Sequence, residues 1–237
     1  MPDIAGSRAV ITGAANGLGA AIARALAARG ARLVLLDRDA DALAAVAAET
    51  GASALPVDLA DAPATEDAIA RMLAEDARID TLIHNAAILR PRPLADTGLA
   101  DFRATLEVGI LAGFLLARAA LPWMHAHGGA MIFVSSQSGI KGFADETAYC
   151  AAKHALEGFS KSVALEEPGL VSCTITPGKP MRTPMSERNY PAELKAQWVS
   201  PDLLAPAFVH IAETRDPEFS GRRLDAWALS QSLKGAP

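Results

Sequence analysis

An α/β fold, with a doubly wound parallel sheet of about seven strands and helices on both faces, is what this sequence predicts. Two observations carry the prediction. Short β-rich apolar runs alternate with Ala/Leu-rich helical segments through most of the chain, a rhythm that belongs to repeated strand–helix–strand units. A glycine-rich turn joins the first apolar run to the first helical segment, where sheets of this kind hold anions.

Strands are expected at Arg8–Thr12, Arg32–Asp37, Ser53–Val57, Thr81–His84, Ala130–Ser135, Val171–Ile175 and Arg222–Asp225. Helices are expected at Gly17–Arg29, Ala40–Glu49, Pro63–Glu75, within Asp101–Ala126, and at Ala148–Glu166, with Pro63 suited to a first helical turn. The stretch from Pro177 to about Pro206 is rich in Pro, Met and charge and reads as a loop or short-helix insertion over a site. With 237 residues, 51% of them hydrophobic, the chain can bury one large core, so a single domain over 1–237 is expected, with a substrate loop at about 178–206.

The formal charge of -5 offers no basic excess for nucleic acid or an anionic membrane, which leaves a small molecule as the expected partner. The start lacks an export-signal pattern and no apolar run approaches membrane-spanning length, so a cytoplasmic location is expected. Cys150 and Cys173 match no zinc or redox motif and read as reduced core thiols. His125 and His127 diverge on a helix, and His154 and His210 have no cluster partner, so no metal site is indicated.

Thr12-Gly13-Ala14-Ala15-Asn16-Gly17-Leu18-Gly19 is the glycine-rich turn. Glycine lets the backbone turn tightly and approach an anion, while free amides and the helix dipole hold a pyrophosphate. Asp37 closes the second strand, about 20 residues on, where a carboxylate accepts from a ribose diol and repels a 2′-phosphate. NAD is therefore favoured over NADP, although Arg38 stands next to it. Asp58, followed by Leu59, either meets an adenine edge or caps the next helix.

Tyr149 and Lys153 lie four residues apart and share one face of a helix. A phenol with an ordinary pKa of about 10 is a poor base at neutral pH, but a nearby cation favours phenolate. Phe133-Val134-Ser135-Ser136 ends a strand, so its hydroxyls emerge at the carboxyl edge of the sheet, where such folds bind ligands.

In order along the chain, the Thr12–Gly19 turn, Asp37, Asp58, His84-Asn85-Ala86-Ala87, the serine before Tyr149/Lys153, and Pro177-Gly178 resemble the short-chain dehydrogenase/reductase family. The resemblance implies a Rossmann-type fold with Tyr149 as general acid/base. It implies that Lys153 lowers the tyrosine pKa and binds the nicotinamide ribose, and that Ser136, thirteen residues before the tyrosine, orients the substrate oxygen. Ser135 would be structural and Ser138 would line the pocket. The implied cofactor contacts are Gly13, Asn16, Gly17, Leu18 and Gly19 at one end, with Asp37, Asp58, Leu59 and Asn85. Tyr149, Lys153, Pro177, Gly178 and Thr183 complete the set. A homotetramer or homodimer through the two long helices is also implied.

The sequence departs from the family pattern at several points. Gly109 stands where the family places an asparagine, offers a carbonyl in its stead, and is expected to leave room for a water. His84 replaces the first asparagine of the strand-end motif and reads most simply as a packed, hydrogen-bonded residue. One extra residue precedes Thr183, and Met185, Tyr190 and Trp198 are apolar groups able to close over a substrate or to form a packed lid or subunit contact. Asp225-Ala226-Trp227 replaces Asp-Gly-Gly. The leading expectation is reversible oxidation of a secondary alcohol. A sugar or polyol dehydrogenase, an acyl-thioester ketoreductase and a dinucleotide-binding protein with impaired turnover are the alternatives.

Overall fold

The computed structural model describes residues 4–235. Its strands are β1 (Arg8–Thr12), β2 (Arg32–Asp37), β3 (Ser53–Pro56), β4 (Thr81–His84), β5 (Ala130–Val134), β6 (Val171–Thr176) and β7 (Arg223–Asp225). They pair in parallel as one sheet in the order β3-β2-β1-β4-β5-β6-β7. The chain runs outward from β1 to β3 and then returns to the other side of β1 with β4. Strand order therefore reverses between β1 and β4, and the connections leaving their carboxyl ends diverge to open a crevice.

Strand periodicity divides the core into two layers. Ile11, Leu33 and Leu35 face α1 (Gly17–Ala27) and α2 (Ala40–Thr50), with α8 (Ala205–Thr214) on the same side. Val10, Val34 and Leu36 face the opposite way, toward α3 (Ala62–Glu75), α5 (Ala112–His127) and α6 (Thr147–Glu166). Successive side chains of a strand point to opposite faces, so one apolar run serves both layers.

The expected elements are present with small shifts at their ends. The first helix stops at Ala27 rather than Arg29, because the chain turns back at Gly30, whose φ of +81° lies in the left-handed region. The helix expected within Asp101–Ala126 is longer and interrupted: α4 (Leu99–Leu106), a π-helical turn (Glu107–Leu111) and α5 follow without a break. The stretch after Pro177 holds α7 (Pro184–Asn189), and Met181 bridges to Val199. The sequence reading did not place α8 or the last helix, α9 (Ala226–Lys234).

Two expectations are corrected. By length and hydropathy the continuous helix Leu99–His127 is apolar enough to cross a membrane, with half of its most apolar window buried inside the fold. Its apolar residues Leu115, Leu116 and Met124 pack in the layer that contains α3. Of the two cysteines, only Cys173 is a core thiol, and burial pushes it up to about 12. Cys150 is half-buried on α6.

Candidate active site

At the crevice between β1 and β4, backbone approaches backbone closely. Gly13 has φ +64°, and a Cβ there would lie 2.8 Å from Asn85 Nδ2 and 2.9 Å from Ala86 Cα. A Cβ on Gly19 would fall 2.1 Å from the Gly13 carbonyl oxygen, so that glycine lets α1 start hard against the loop. Asn85 donates from Nδ2 to the Thr12 and Gly13 carbonyls, at 3.1 and 3.0 Å. Asn16 caps α1 without a side-chain hydrogen bond, which leaves the first amides of the helix facing the crevice for an anion.

Thr12 fixes a second feature. Its Oγ1 accepts the Asn85 and Ala86 amides, each at 3.0 Å, so its own proton goes to Nδ1 of His84, also at 3.0 Å. His84 is fully buried, and burial, with the Lys153 charge adding to it, pushes its pKa down to about 3. The ring is therefore neutral and carries its proton on Nε2, where the Gly109 and Val108 backbone favours it without forming a hydrogen bond of normal geometry among the described residues. This is the packed histidine expected from the sequence.

Asp37 accepts the Ala15 amide through Oδ2 and the Asp39 amide through Oδ1, both at 3.1 Å. It thus closes the glycine loop at the far end of the crevice. Asp58 does not cap the next helix. Asp61 does so, accepting from the Ala64 amide at 3.0 Å, while Asp58 accepts the Ala60 amide and remains exposed at the crevice.

At the chemical end, α6 carries Tyr149, Lys153 and Glu157 at four-residue steps, one above another. Lys153 is 1% exposed and donates from Nζ to the Val134 carbonyl at 2.7 Å. Burial lowers its pKa to about 8, against the raising influence of Glu157. Its Nζ lies 5.5 Å from the centroid of the Tyr149 ring. Burial raises the Tyr149 phenol above its ordinary value, while the adjacent Ser136 hydroxyl pulls it back. The lowering by Lys153 expected from the sequence is not among these effects: the lowering comes from Ser136, and Tyr190, Glu146 and Cys150 raise the phenol further. Ser136 Oγ accepts the Ser138 amide at 3.2 Å, and Ser138 Oγ donates to Glu146 Oε2 at 2.8 Å.

A cleft of about 630 Å³ joins the two ends. Gly13, Asn16, Gly17, Leu18, Asp37, Asp58, Leu59 and Asn85 line it on one side, and Ser136, Tyr149, Lys153, Pro177 and Thr183 on the other. Gly19 and Gly178 do not line it. Gly19 supports the loop from behind, and Gly178, with φ +76°, packs against Asp225. Thr183 Oγ1 also accepts the Ser186 amide at 3.1 Å and so starts α7. Of Met185, Tyr190 and Trp198, only Met185 reaches the cleft. Tyr190 turns toward Glu146, at 3.5 Å, and Trp198 lies under Lys195.

Leu89, Arg90, Met181, Arg188 and Asn189 also line the cleft, and sequence reasoning did not single them out. Asn189 donates to the Leu89 carbonyl at 3.0 Å, which ties α7 across to the loop after β4. No local pattern signals a bond between residues so far apart in the chain. Trp227 enters α9 with its amide on the Pro177 carbonyl at 3.2 Å, so the replaced Asp-Gly-Gly turn buttresses the Pro177 corner. Gly109 is not roomy as expected. A Cβ there would lie 2.8 Å from the Ala152 Cβ. Among the described residues no group of His, Cys, Asp or Glu is placed to hold a metal ion.

An extended, glycine-walled cleft with free helix amides at one end, a carboxylate at the other and a Ser-Tyr-Lys cluster beside them suits a dinucleotide. Comparison with known proteins agrees. The sequence profile described as short chain dehydrogenase matches residues 7–194. D-threitol dehydrogenase of Mycolicibacterium smegmatis is 36% identical over 167 residues, 68% of this chain and 64% of that protein. Trans-4-hydroxycyclohexanecarboxylate dehydrogenase of Sinomonas cyclohexanicum is 32% identical over 67% of this chain and 65% of that protein. The chain thus aligns with just under two thirds of the length of these two relatives. Among solved structures, a short chain dehydrogenase from Pseudomonas syringae superposes with a TM-score of 0.87 at 33% identity, covering 95% of this chain and 97% of that one. One from Beutenbergia cavernae, described as an NAD(P) dependent gluconate 5-dehydrogenase with bound NADP, gives 0.85 at 26% identity over 94% and 97%.

Proposed function

The chain belongs to the short-chain dehydrogenase/reductase family, and on that premise we propose that it is an NAD-linked oxidoreductase. In this reading it exchanges a hydride between the nicotinamide and a secondary alcohol or the matching ketone. The observation that carries the reading is the convergence of Ser136, Tyr149 and Lys153 on the cleft that the glycine loop closes at its other end. The bound cofactor supplies or takes the hydride. The chain's own residues do the rest. Ser136 Oγ holds the substrate oxygen, Tyr149 gives it a proton in reduction and takes one in oxidation, and Lys153 supplies the positive charge beside the phenol. Because burial keeps the phenol protonated, reduction is ready at neutral pH and oxidation gains rate as the pH rises.

Asp37 supports NAD over NADP: its carboxylate sits at the far wall of the cleft, where it would repel a 2′-phosphate. The NADP seen in the Beutenbergia relative is that protein's own ligand. In the same reading the fold is a single catalytic domain in the cytoplasm, with the Pro177–Pro206 stretch closing over the substrate. It assembles as a homodimer or homotetramer through α4, α5 and α6, where Phe114 and Leu165 stand 38% and 85% exposed.

A panel of secondary alcohols, polyols and ketones assayed with NAD(H) and NADP(H) tests this. Turnover is expected with NAD(H), and Tyr149→Phe is expected to lose it by at least about a hundredfold while retaining cofactor binding. Cofactor binding without turnover on any substrate, unaffected by Tyr149→Phe, would instead identify a dinucleotide-binding protein.

A further inference from the structure

Behind the Ser-Tyr-Lys cluster lies a charged network that the proposed reaction does not by itself use. Glu157, one helical turn beyond Lys153, is 4% exposed. Its carboxylate accepts from Ser135 Oγ, from Thr174 Oγ1 at 2.8 Å and from Arg223 Nε at 3.1 Å. Arg223, on β7, donates with Nη2 to the Ser136 carbonyl at 3.0 Å. Gly139 completes the enclosure, for a Cβ there would meet Ser135 Oγ at 2.6 Å and Glu157 at 3.2 Å. One ion pair therefore holds the Ser135 hydroxyl and the Ser136 carbonyl, and lies along α6 from the buried ammonium.

We propose that Glu157 and Arg223 are positioning residues that act as an opposed pair, holding Ser136 in place while setting the charge state of Lys153. The proposal rests on the reading of Ser136 and Lys153 as working residues. A buried carboxylate near a buried ammonium favours its charged form, and a guanidinium on that carboxylate tempers the effect. Lys153 is faced by Tyr149 and Glu157 from its own helix, by His84 from β4 and, through Glu157, by Arg223 from β7. His84 is neutral above its pKa of about 3 and Tyr149 is protonated around neutrality, so the Glu157–Arg223 balance is the adjustable charge. Ordinary packing has no reason to give the two partners opposite effects.

The test needs no substrate. Lysine labelled with ¹³C at Cε reports protonation of each side chain by NMR, and Lys153→Met assigns the resonance. In the parent protein Lys153 is expected to titrate near 8. Glu157→Gln keeps the shape and removes the negative charge, and the midpoint is expected to fall by about 1 pH unit. Arg223→Gln keeps a donor for the Ser136 carbonyl and removes the positive charge, and the midpoint is expected to rise. Midpoints that stay put, or move in the same direction, overturn the proposal. Should Glu157→Gln not fold, Arg223→Gln decides alone, because either no change or a fall overturns it. Since the readout is the titration of one lysine, it stands or fails separately from any search for the substrate.

Discussion

His84 shows how one side chain can carry the acid sensitivity of the whole fold. Thr12 hands its only hydroxyl proton to His84 Nδ1, and the sealed environment refuses a second proton until about pH 3. In the unfolded chain the same imidazole titrates near its ordinary value of about 6.5. Between those values the unfolded state binds a proton that the folded state does not, so the contribution of His84 to stability is complete above pH 6.5. It is then lost as the pH falls toward 3, on the order of 5 kcal/mol in all. Urea unfolding at pH 7, 5 and 4 is expected to show this decline, and His84→Gln to flatten it. At the same site, Thr12→Val would strand two loop amides and the imidazole. It is expected to cost about 2–4 kcal/mol by the same unfolding measurement.

The π turn between α4 and α5 is decided by contact between elements. Gly109 sits within it, and its missing side chain lets α6 approach at Ala152, the neighbour of Lys153. In an ordinary helix interior, replacing glycine by alanine gains about 1 kcal/mol. Here the added Cβ would fall 2.8 Å from another Cβ, and overpacking of that kind costs about 1–3 kcal/mol. Gly109→Ala is therefore expected to lower the melting temperature, and Ala152→Gly in the same chain to restore part of it. Restoring an asparagine at 109 carries the same clash, so it tests the packing of α6 before it tests a missing amide. Full recovery of stability in Gly109→Asn without any change at Ala152 would contradict this account of the turn.

At the scale of the molecule, cofactor and fold are linked by mass action. The cleft walls come from the ends of β2 and β5, the loops after β1, β3 and β4, and α1, α6 and α7 together, so a ligand there ties both halves of the sheet. A cofactor at a hundred times its dissociation constant adds about 2.7 kcal/mol. In a domain of this size that is a rise of about 5–10 °C in melting temperature. NADH is expected to give the larger shift and NADPH the smaller at equal concentration. Asp37→Ser is expected to narrow the gap, read by thermal unfolding with each nucleotide. An equal shift from both nucleotides in the parent chain would remove the argument from Asp37.

Much of the fold and part of the site are legible along the chain because the signals are local. Strand and helix rhythm follows from hydrophobic periodicity, a glycine turn from the need for a tight corner, and the shared face of Tyr149 and Lys153 from helical pitch. Motif order points to the Ser136–Tyr149–Lys153 cluster and to most of the glycine-loop residues, and the structure brings them to one cleft. The burial that raises Tyr149 and lowers Lys153, the Gly109–Ala152 contact, the tie from Asn189 to Leu89 and the Glu157–Arg223 pair are not written in any neighbouring residues. Each joins groups brought together only by packing. The sequence alone thus determined the α/β class and most of the residues that gather at the two ends of the cleft. Only the tertiary structure decided how charge is distributed there, because desolvation and close contact depend on what surrounds a side chain in space rather than on what precedes it in the chain.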